Sequence, residues 1–150
     1  MSEATVPSTR QNAEMSRADD LNDFFGPLAP GLHGVVFDDA EPDRVVGHID
    51  VAPALIAGTG YLFAPAIISL ADTLCAAGCG ANIPEGASFT TVELKSNFMS
   101  SAQVGQRVVG VATPAHLGGR THVWDVVVTN ETTGKTMALF RCTQMVIRPR

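Results

Sequence analysis

The segment from Val51 to Pro84 is apolar and carries one charged side chain, Asp72. Burying an ionised carboxylate without partners is costly, so its position needs a reason. Asp72 shares an edge of the predicted helix with Ser69 and Thr73, two turns after a start marked by glycines and Pro65. Free N–H groups at a helix start can bind a developing oxyanion, and a carboxylate beside them is the minimum set for acyl transfer. We predict a catalytic Asp72; the structural alternatives are a cap, a distant arginine partner or a solvated edge.

The other reactive side chains do not form a recognisable constellation. Two cysteines lie four residues apart in the apolar segment and a third is near the end of the chain: Cys75, Cys79 and Cys142. Their odd number and apolar surroundings predict buried thiols in a reducing cytosol, with a metal pair as a minor alternative. Four histidines are scattered and are interpreted as strand or turn residues: His33, His48, His116 and His122. The sequence contains no G-x-S-x-G, P-loop, G-x-G-x-x-G or H-E-x-x-H motif, so we predict neither a metal site nor a separate cofactor.

One long buried helix must position Asp72. Pro65 suits its first turn, and the apolar residues that follow repeat at helical spacing as far as Gly78. A short helix over 21–28 and two strands, 33–37 and 44–51, precede it, with DDAEPD as an acidic turn between the strands. Four β-rich runs follow it, at 88–99, 104–117, 120–130 and 135–147. This order predicts an α+β domain, a curved antiparallel sheet wrapped around one helix, which is the outline of a hotdog fold.

Size and charge limit the classes of partner. The chain has 150 residues, the size of one domain, and its 45% of apolar residues favours self-association. A net charge of −5 argues against nucleic acid or an anionic membrane as the main partner. Glycines and prolines interrupt the apolar segment, and the polar N-terminus has no signal-peptide core, so we expect a cytoplasmic protein. Residues 1–20 are interpreted as a flexible lead-in and 21–150 as the domain.

A family resemblance connects these observations. The run GYLFAPAIISLADTLCAAG resembles the segment around the active-site helix of PaaI-like hotdog acyl-CoA thioesterases, the branch with phenylacetyl-CoA and Arthrobacter-type 4-hydroxybenzoyl-CoA enzymes. The family pattern is roughly H-G-G-x-x-x-x-L-A-D/E-x-A, and Leu70-Ala71-Asp72 matches its end. The similarity continues through LKSNFMSSAQVGQRVVGVA and HLGGRTHVWDVVV to MVIRPR, and so covers about residues 30–150.

The resemblance implies roles for the residues of the helix. Asp72 would be the nucleophile or general base, and Ala64 the oxyanion donor, since its neighbour Pro65 has no N–H. Thr73 or Ser69 would orient the water. The chain departs from the family at three positions: Phe63 replaces the histidine, Ala57 replaces a polar residue before the helix, and Ala76 stands where some relatives have threonine.

The resemblance also implies a site for coenzyme A. The HLGGRT segment would approach its phosphates with backbone N–H groups, a charge and a hydroxyl, from Gly118, Gly119, Arg120 and Thr121. Two more arginines are phosphate candidates or, equally, solvated residues at the chain end: Arg148 and Arg150. Other residues would contact the rest of the substrate: Phe63 and Pro65 at the helix start, and Asn97 on the following strand.

The function implied is hydrolysis of a small aromatic or medium-chain acyl-CoA. Coenzyme A would be part of the substrate, and the active sites would lie between the protomers of a homodimer or of a dimer-of-dimers tetramer. A non-catalytic acyl-CoA-binding protein is the alternative. A hydratase or dehydratase is less favoured, because that chemistry needs a histidine with the carboxylate and none lies in or just before the helix.

Overall fold

The computed structural model describes Val6 and residues 16–150. Its elements in chain order are α1 (Arg17–Phe25), α2 (Ala29–Leu32), β1 (Val36–Glu41), β2 (Arg44–Asp50), a 3-10 turn (Pro53–Leu55), α3 (Ala64–Ala81), β3 (Ser88–Phe98), β4 (Arg107–Leu117), β5 (Thr121–Asn130) and β6 (Lys135–Ile147). The six strands form one antiparallel sheet in the order β1-β2-β4-β5-β6-β3. The predicted layout of one antiparallel sheet around one long helix is confirmed.

Helix α3 is the core of the domain and contacts all six strands. Leu70 and Leu74 on its sheet-facing side are fully buried. Glycines let the backbones of β2 and β4 approach it, because a Cβ on Gly47 or Gly110 would lie 2.8 Å from a methyl group of Leu74. In the described part of the chain, α3 is the single helix long and apolar enough to cross a membrane. Its burial identifies it as the core helix, so no membrane protein is indicated.

The N-terminal half differs from the sequence prediction at two boundaries. Helix α1 begins at Arg17, not at residue 21, because Ser16 and Asp19 form a reciprocal capping box at its start. Most of the predicted lead-in, residues 1–5 and 7–15, lies outside the described residues. The prediction of a strand at 33–37 followed by an acidic turn was wrong in its boundaries. β1 starts at Val36 and continues through DDAE, with Pro42 and Asp43 alone forming the turn.

Strand β3 lies at the edge of the sheet and pairs only with β6 among the described residues. Its inward-facing Leu94 and Phe98 are 40% and 44% exposed, because α3 does not cover this edge completely. A strand edge with exposed apolar side chains is a surface that another chain can cover.

The packing of α3 on β5 can be tested at Gly78. A Cβ at this position would lie within 2.6–2.7 Å of Cζ2 and Cζ3 of the buried Trp124 ring. We therefore expect Gly78→Ala to lower the free energy of unfolding by about 1–3 kcal/mol, despite the better helix propensity of alanine. Chemical denaturation would measure the change. As a control, Gly58→Ala should change it by less than ~0.5 kcal/mol, since a Cβ there meets no atom within 4 Å. A stabilised Gly78→Ala protein would contradict this packing.

Candidate active site

Helix α3 starts with a backbone N–H that has no partner among the residues that the structure describes. Phe63 is the N-cap, its side chain makes no capping hydrogen bond, and its own amide donates to Leu55 O at 2.9 Å. Ala64 is the first helical residue and Pro65 the second. Among the described residues, the Ala64 N–H donates to no acceptor, and the residue is exposed. The structure therefore leaves the predicted oxyanion donor available at the positive end of the helix dipole.

Asp72 lies between α3 and the sheet, with a hydroxyl from β3 held against it. Burial raises the pKa of Asp72 above its ordinary value. Hydrogen bonds from Thr91 and Gln144 act in the opposite direction, because they favour the ionised form, but burial is the largest cause. The Thr91 hydroxyl donates to Asp72 Oδ1 at 2.8 Å. A carboxylate with a raised pKa is a stronger base than an ordinary aspartate and is better suited to accept a proton.

Sequence reasoning missed both partners of this carboxylate. Thr91 and Gln144 face each other across the β3–β6 pair and turn toward the helix. The one signal in the sequence was Gln144, a polar residue in the strand position that alternation assigns to the core, between Cys142 and Val146. Thr73, predicted to orient the water, is instead buried and makes no described hydrogen bond to Asp72. The threonine beside the carboxylate comes from β3, not from α3.

The helix separates the two predicted catalytic groups. Ala64 and Asp72 are eight residues apart on one continuous helix, which places them about 12 Å apart along its axis at ~1.5 Å per residue. A carbonyl oxygen bound to the Ala64 N–H and a water molecule bound to Asp72 must be close enough for the water to reach the carbonyl carbon. The separation along one helix therefore favours a site that takes the two groups from two copies of the helix.

The predicted phosphate-binding residues meet at one end of the sheet. The Arg148 guanidinium donates to Gly119 O at 3.1 Å, and the Val146 amide donates to Arg120 O at 2.8 Å. The Gly118 N–H donates to Thr121 O, so it is not free to bind a ligand as the sequence suggested. Glycine is required at 118 for packing, since a Cβ there would lie 2.6 Å from His116 Nε2 and 2.9 Å from Thr121 O. Arg150, at the chain end, is exposed.

Asn97 is not brought together with Asp72. It pairs with the exposed Leu139, whereas its neighbours Ser96 and Phe98 pair with the buried Phe140 and Ala138. Asn97 therefore lies on the outer face of the sheet, opposite to α3. There it lines a shallow concavity of about 560 Å³ together with charged and apolar residues that include Lys95, Asp125, Val127, Leu139 and Arg141.

The cysteines are free and buried, as predicted. Burial, with contributions from the neighbouring Cys142 and Asp72, holds the pKa of Cys75 well above its ordinary value, and burial raises the pKa of Cys79 to about 12. Thiols in this state are poor nucleophiles. In the part of the chain that the structure describes, no group of three or more His, Cys, Asp or Glu side chains is placed to hold a metal ion.

The family model and a curated relative indicate the same family, and the solved structures that this chain resembles have the same fold. Residues 59–137 match the family model described as Thioesterase superfamily. A 1,4-dihydroxy-2-naphthoyl-CoA hydrolase from Listeria monocytogenes is 27% identical over 117 residues, 78% of this chain and 94% of that protein. A thioesterase from Haemophilus influenzae superimposes with a TM-score of 0.81 at 22% identity, covering 87% of this chain and 90% of its own. The Escherichia coli PaaI protein of the phenylacetic acid degradation operon gives 0.71 at 23%, covering 78% and 82%. These structural neighbours confirm the hotdog fold.

The buried state of Asp72 predicts a stability effect. Since its folded-state pKa is raised, its stabilising contribution is complete below the unfolded pKa and is lost as the pH rises through the folded pKa. Asparagine is neutral at every pH, so Asp72→Asn should raise Tm at pH 7 by roughly 2–4 °C, the shift for about 1 kcal/mol in a domain of this size. The gain should disappear near pH 3. Thermal unfolding at both pH values would measure it.

The control is Asp125→Asn. Hydrogen bonds from Arg141, at 2.6 and 2.7 Å, hold the pKa of Asp125 below its ordinary value, so this change should lower Tm slightly at pH 7. An Asp72→Asn protein that is less stable than the parent at pH 7 would contradict a destabilising buried charge.

Proposed function

The chain belongs to the thioesterase superfamily, and on that premise we propose that it hydrolyses an acyl-CoA with Asp72 of one protomer and the α3 start of another. The observation that carries the proposal is the pairing, on one buried helix, of a carboxylate with raised pKa and an unused N–H at Ala64. Membership of the superfamily makes thioester hydrolysis the reaction class. A carboxylate and an unused N–H are the two groups that we expect this reaction to use.

The Ala64 N–H would bind the thioester carbonyl oxygen and stabilise the negative charge that develops on it. Asp72 would accept a proton from a water molecule while the water oxygen bonds to the carbonyl carbon. The carbon–sulfur bond then breaks, and the sulfur of coenzyme A takes the proton from Asp72, which restores the carboxylate. The raised pKa of Asp72 suits this step, because a more basic carboxylate holds the proton better.

A homodimer would complete the site. The exposed inner side of β3, with Leu94 and Phe98, lies beside the edge of α3 that carries Asp72. Edge-to-edge pairing of two β3 strands would cover these apolar side chains and bring the two α3 helices to one interface. The exposed Val127 and Leu139 on the outer face would be available for pairing two such dimers.

The surroundings of the site favour an apolar acyl group. Phe63, Leu94 and Phe98 are large, apolar and 40–52% exposed near the helix start and along β3. We propose that they form part of the acyl pocket and that a small aromatic or medium-chain acyl group fits it. The similar Listeria protein is named for an aromatic acyl-CoA, which supports the aromatic class. Coenzyme A esters and free buried thiols also fit a reducing cytoplasm.

Arg120 and Arg148 would bind the phosphates of coenzyme A. No described carboxylate pairs with either guanidinium, and both lie where β6 leaves the sheet. Arg148 is four residues beyond Gln144, which is about 13 Å along an extended strand at ~3.4 Å per residue. A linker as long as pantetheine is needed to span such a distance from the carboxylate, and this favours the assignment.

The mechanism predicts that two different substitutions each abolish turnover. Asp72→Asn removes the base and should lower kcat by about 10²–10⁴-fold. Ala64→Pro removes only the N–H and should lower kcat by about 10²–10³-fold. Proline fits this position, because Phe63 already has the extended ψ of 125° that precedes proline. Release of coenzyme A from a panel of aromatic and medium-chain acyl-CoAs, followed with a thiol reagent, would measure both. Ala64→Gly, which keeps the N–H, is the matched control.

Mixing the two inactive variants tests the composite site. If each site takes Asp72 from one protomer and Ala64 from the other, a statistical mixture regains about a quarter of parental activity, because half of the dimers are mixed and each has one intact site. No recovery after verified subunit exchange would contradict a shared site. Saturable binding of coenzyme A without turnover of any acyl-CoA by the parent protein would point instead to an acyl-CoA-binding protein.

The two arginines should affect binding and not chemistry. Replacing both Arg120 and Arg148 by alanine should raise KM for acyl-CoA about tenfold or more, with kcat little changed, because charged hydrogen bonds to phosphate are lost. The KM for the same acyl group on N-acetylcysteamine, which has no phosphates, should stay the same. Arg44→Ala, at the β1–β2 turn, is the matched control. An equal rise in KM for both thioesters would exclude the phosphate assignment.

A further inference from the structure

We propose that Gln144 is a positioning residue of the active site, and that its side-chain amide turns over as Asp72 gains and loses the catalytic proton. The proposal rests on the general-base role given to Asp72 above. Gln144 does not touch the substrate. It acts on Asp72 from close by, and the hydroxyl of Thr91 lies between the two side chains.

The hydroxyl of Thr91 has two acceptors and one proton. Its Oγ1 is 2.8 Å from Asp72 Oδ1 and 3.1 Å from Gln144 Oε1, so both neighbours present an oxygen to it. Thr91 can donate to only one of them at a time. The other close oxygen pair is favourable only if that neighbour supplies a hydrogen, which requires either a protonated Asp72 or a reversed amide at Gln144.

Two arrangements give the Thr91 hydroxyl both a donor and an acceptor. When Asp72 is protonated, it donates to Thr91, and Thr91 donates to Gln144 Oε1. Gln144 Nε2 then faces Cys142 Sγ at 3.6 Å, which is the amide orientation in the structure. When Asp72 is ionised, Thr91 donates to Asp72, and the amide turns by 180° so that Nε2 donates to Thr91. The Gln144 oxygen then accepts from the Cys142 thiol. A fixed donor or a fixed acceptor at position 144 would match the hydroxyl in only one of the two states.

Burial makes this exchange valuable. Gln144 has no exposed surface, so an amide with an unmatched donor or acceptor would find no water to replace the partner. Position 144 is otherwise a core position of β6, flanked on the same face by the buried Cys142 and Val146. A glutamine there is explained by a partner whose hydrogen-bonding character changes, and Asp72 is such a partner.

Three other titratable groups face this network and set the conditions of any test. Cys75 on α3 lies near both Asp72 and Cys142 of β6, and the pKa of Cys75 is held well above its ordinary value by burial. His122 on β5 is the cross-strand neighbour of Gln144. Burial is the main reason that the pKa of His122 is lowered. The experiment must therefore follow each group separately.

The first test is an NMR titration that needs no activity. The carboxyl ¹³C signal of Asp72 and the side-chain amide signals of Gln144 should change with the same midpoint, and the ring signals of His122 should be recorded beside them. In Asp72→Asn the amide signals of Gln144 should no longer move with pH. In Gln144→Met, which keeps the length of the side chain without a donor, the midpoint of Asp72 should shift to higher pH, because the Gln144 amide no longer favours the ionised carboxylate.

The second test is kinetic. Gln144→Met should move the acid limb of the pH profile of kcat/KM to higher pH and leave KM unchanged. At pH values below the midpoint of that limb, kcat/KM should be lower by about tenfold. In a Thr91→Val background the same substitution should have a smaller effect, because the hydroxyl that lies between Gln144 and Asp72 is gone. Asn130→Leu, which removes another fully buried amide at the opposite end of β5, is the control and should leave the position of the limb unchanged in folded protein.

The outcomes separate the two proposals. An Asp72 midpoint that is equal in the parent and in Gln144→Met, in protein shown to be folded by its unfolding transition, would overturn the role of Gln144. So would Gln144 amide signals that ignore the titration of Asp72. If Asp72→Asn hydrolysed acyl-CoA normally, the proposed function would fail, while the NMR titration would still decide whether the amide follows the carboxylate.

Discussion

The structure depends on one constraint: a carboxylate has to be accommodated inside the contact between a helix and a sheet. Asp72 loses hydrogen bonds to water there. Thr91 and Gln144 of the sheet compensate for only part of that loss, so the ionised form remains disfavoured. The result is a carboxylate that binds a proton more readily than it would in water. Apolar surroundings that look unsuitable for a charge thus give the group its basicity and exclude competing water.

A second consequence follows from the helix itself. The same rigid element that holds Asp72 also presents the free N–H of Ala64, two turns away. No side-chain motion can bring them together, because both are fixed to the backbone of one helix. The apolar edge strand, the excess of apolar residues and the separation of these groups therefore have a common explanation in a second copy of the chain.

The sequence predicted the features that local rules control. Pro65 marked the helix start, helical spacing marked the buried helix, and period-two alternation found the four strands after it. Prediction from the sequence failed where segments that are distant along the chain come into contact. The capping box at Ser16 extended α1 beyond the prediction, and pairing with β2 drew acidic residues into β1. The contact between Thr91 and Asp72 could not be predicted either, because only the β3–β6 register and the path of α3 bring the two side chains together. Thr73 was nearer in sequence, and sequence distance was the wrong guide.

Phe63 is the clearest departure from the family pattern, and the geometry explains how the site tolerates it. Its role at the helix start is carried by the backbone: its amide binds Leu55, its carbonyl accepts from Ala66, and its side chain caps nothing. The donor in the proposed mechanism is the main-chain N–H of the next residue, which a change of side chain at 63 does not remove. Pro65 then leaves Ala64 without a competing donor at the next position. A histidine would add a polar side chain at this edge, whereas phenylalanine adds apolar surface, so the substitution bears on the choice of acyl group more than on the ability to polarise a carbonyl.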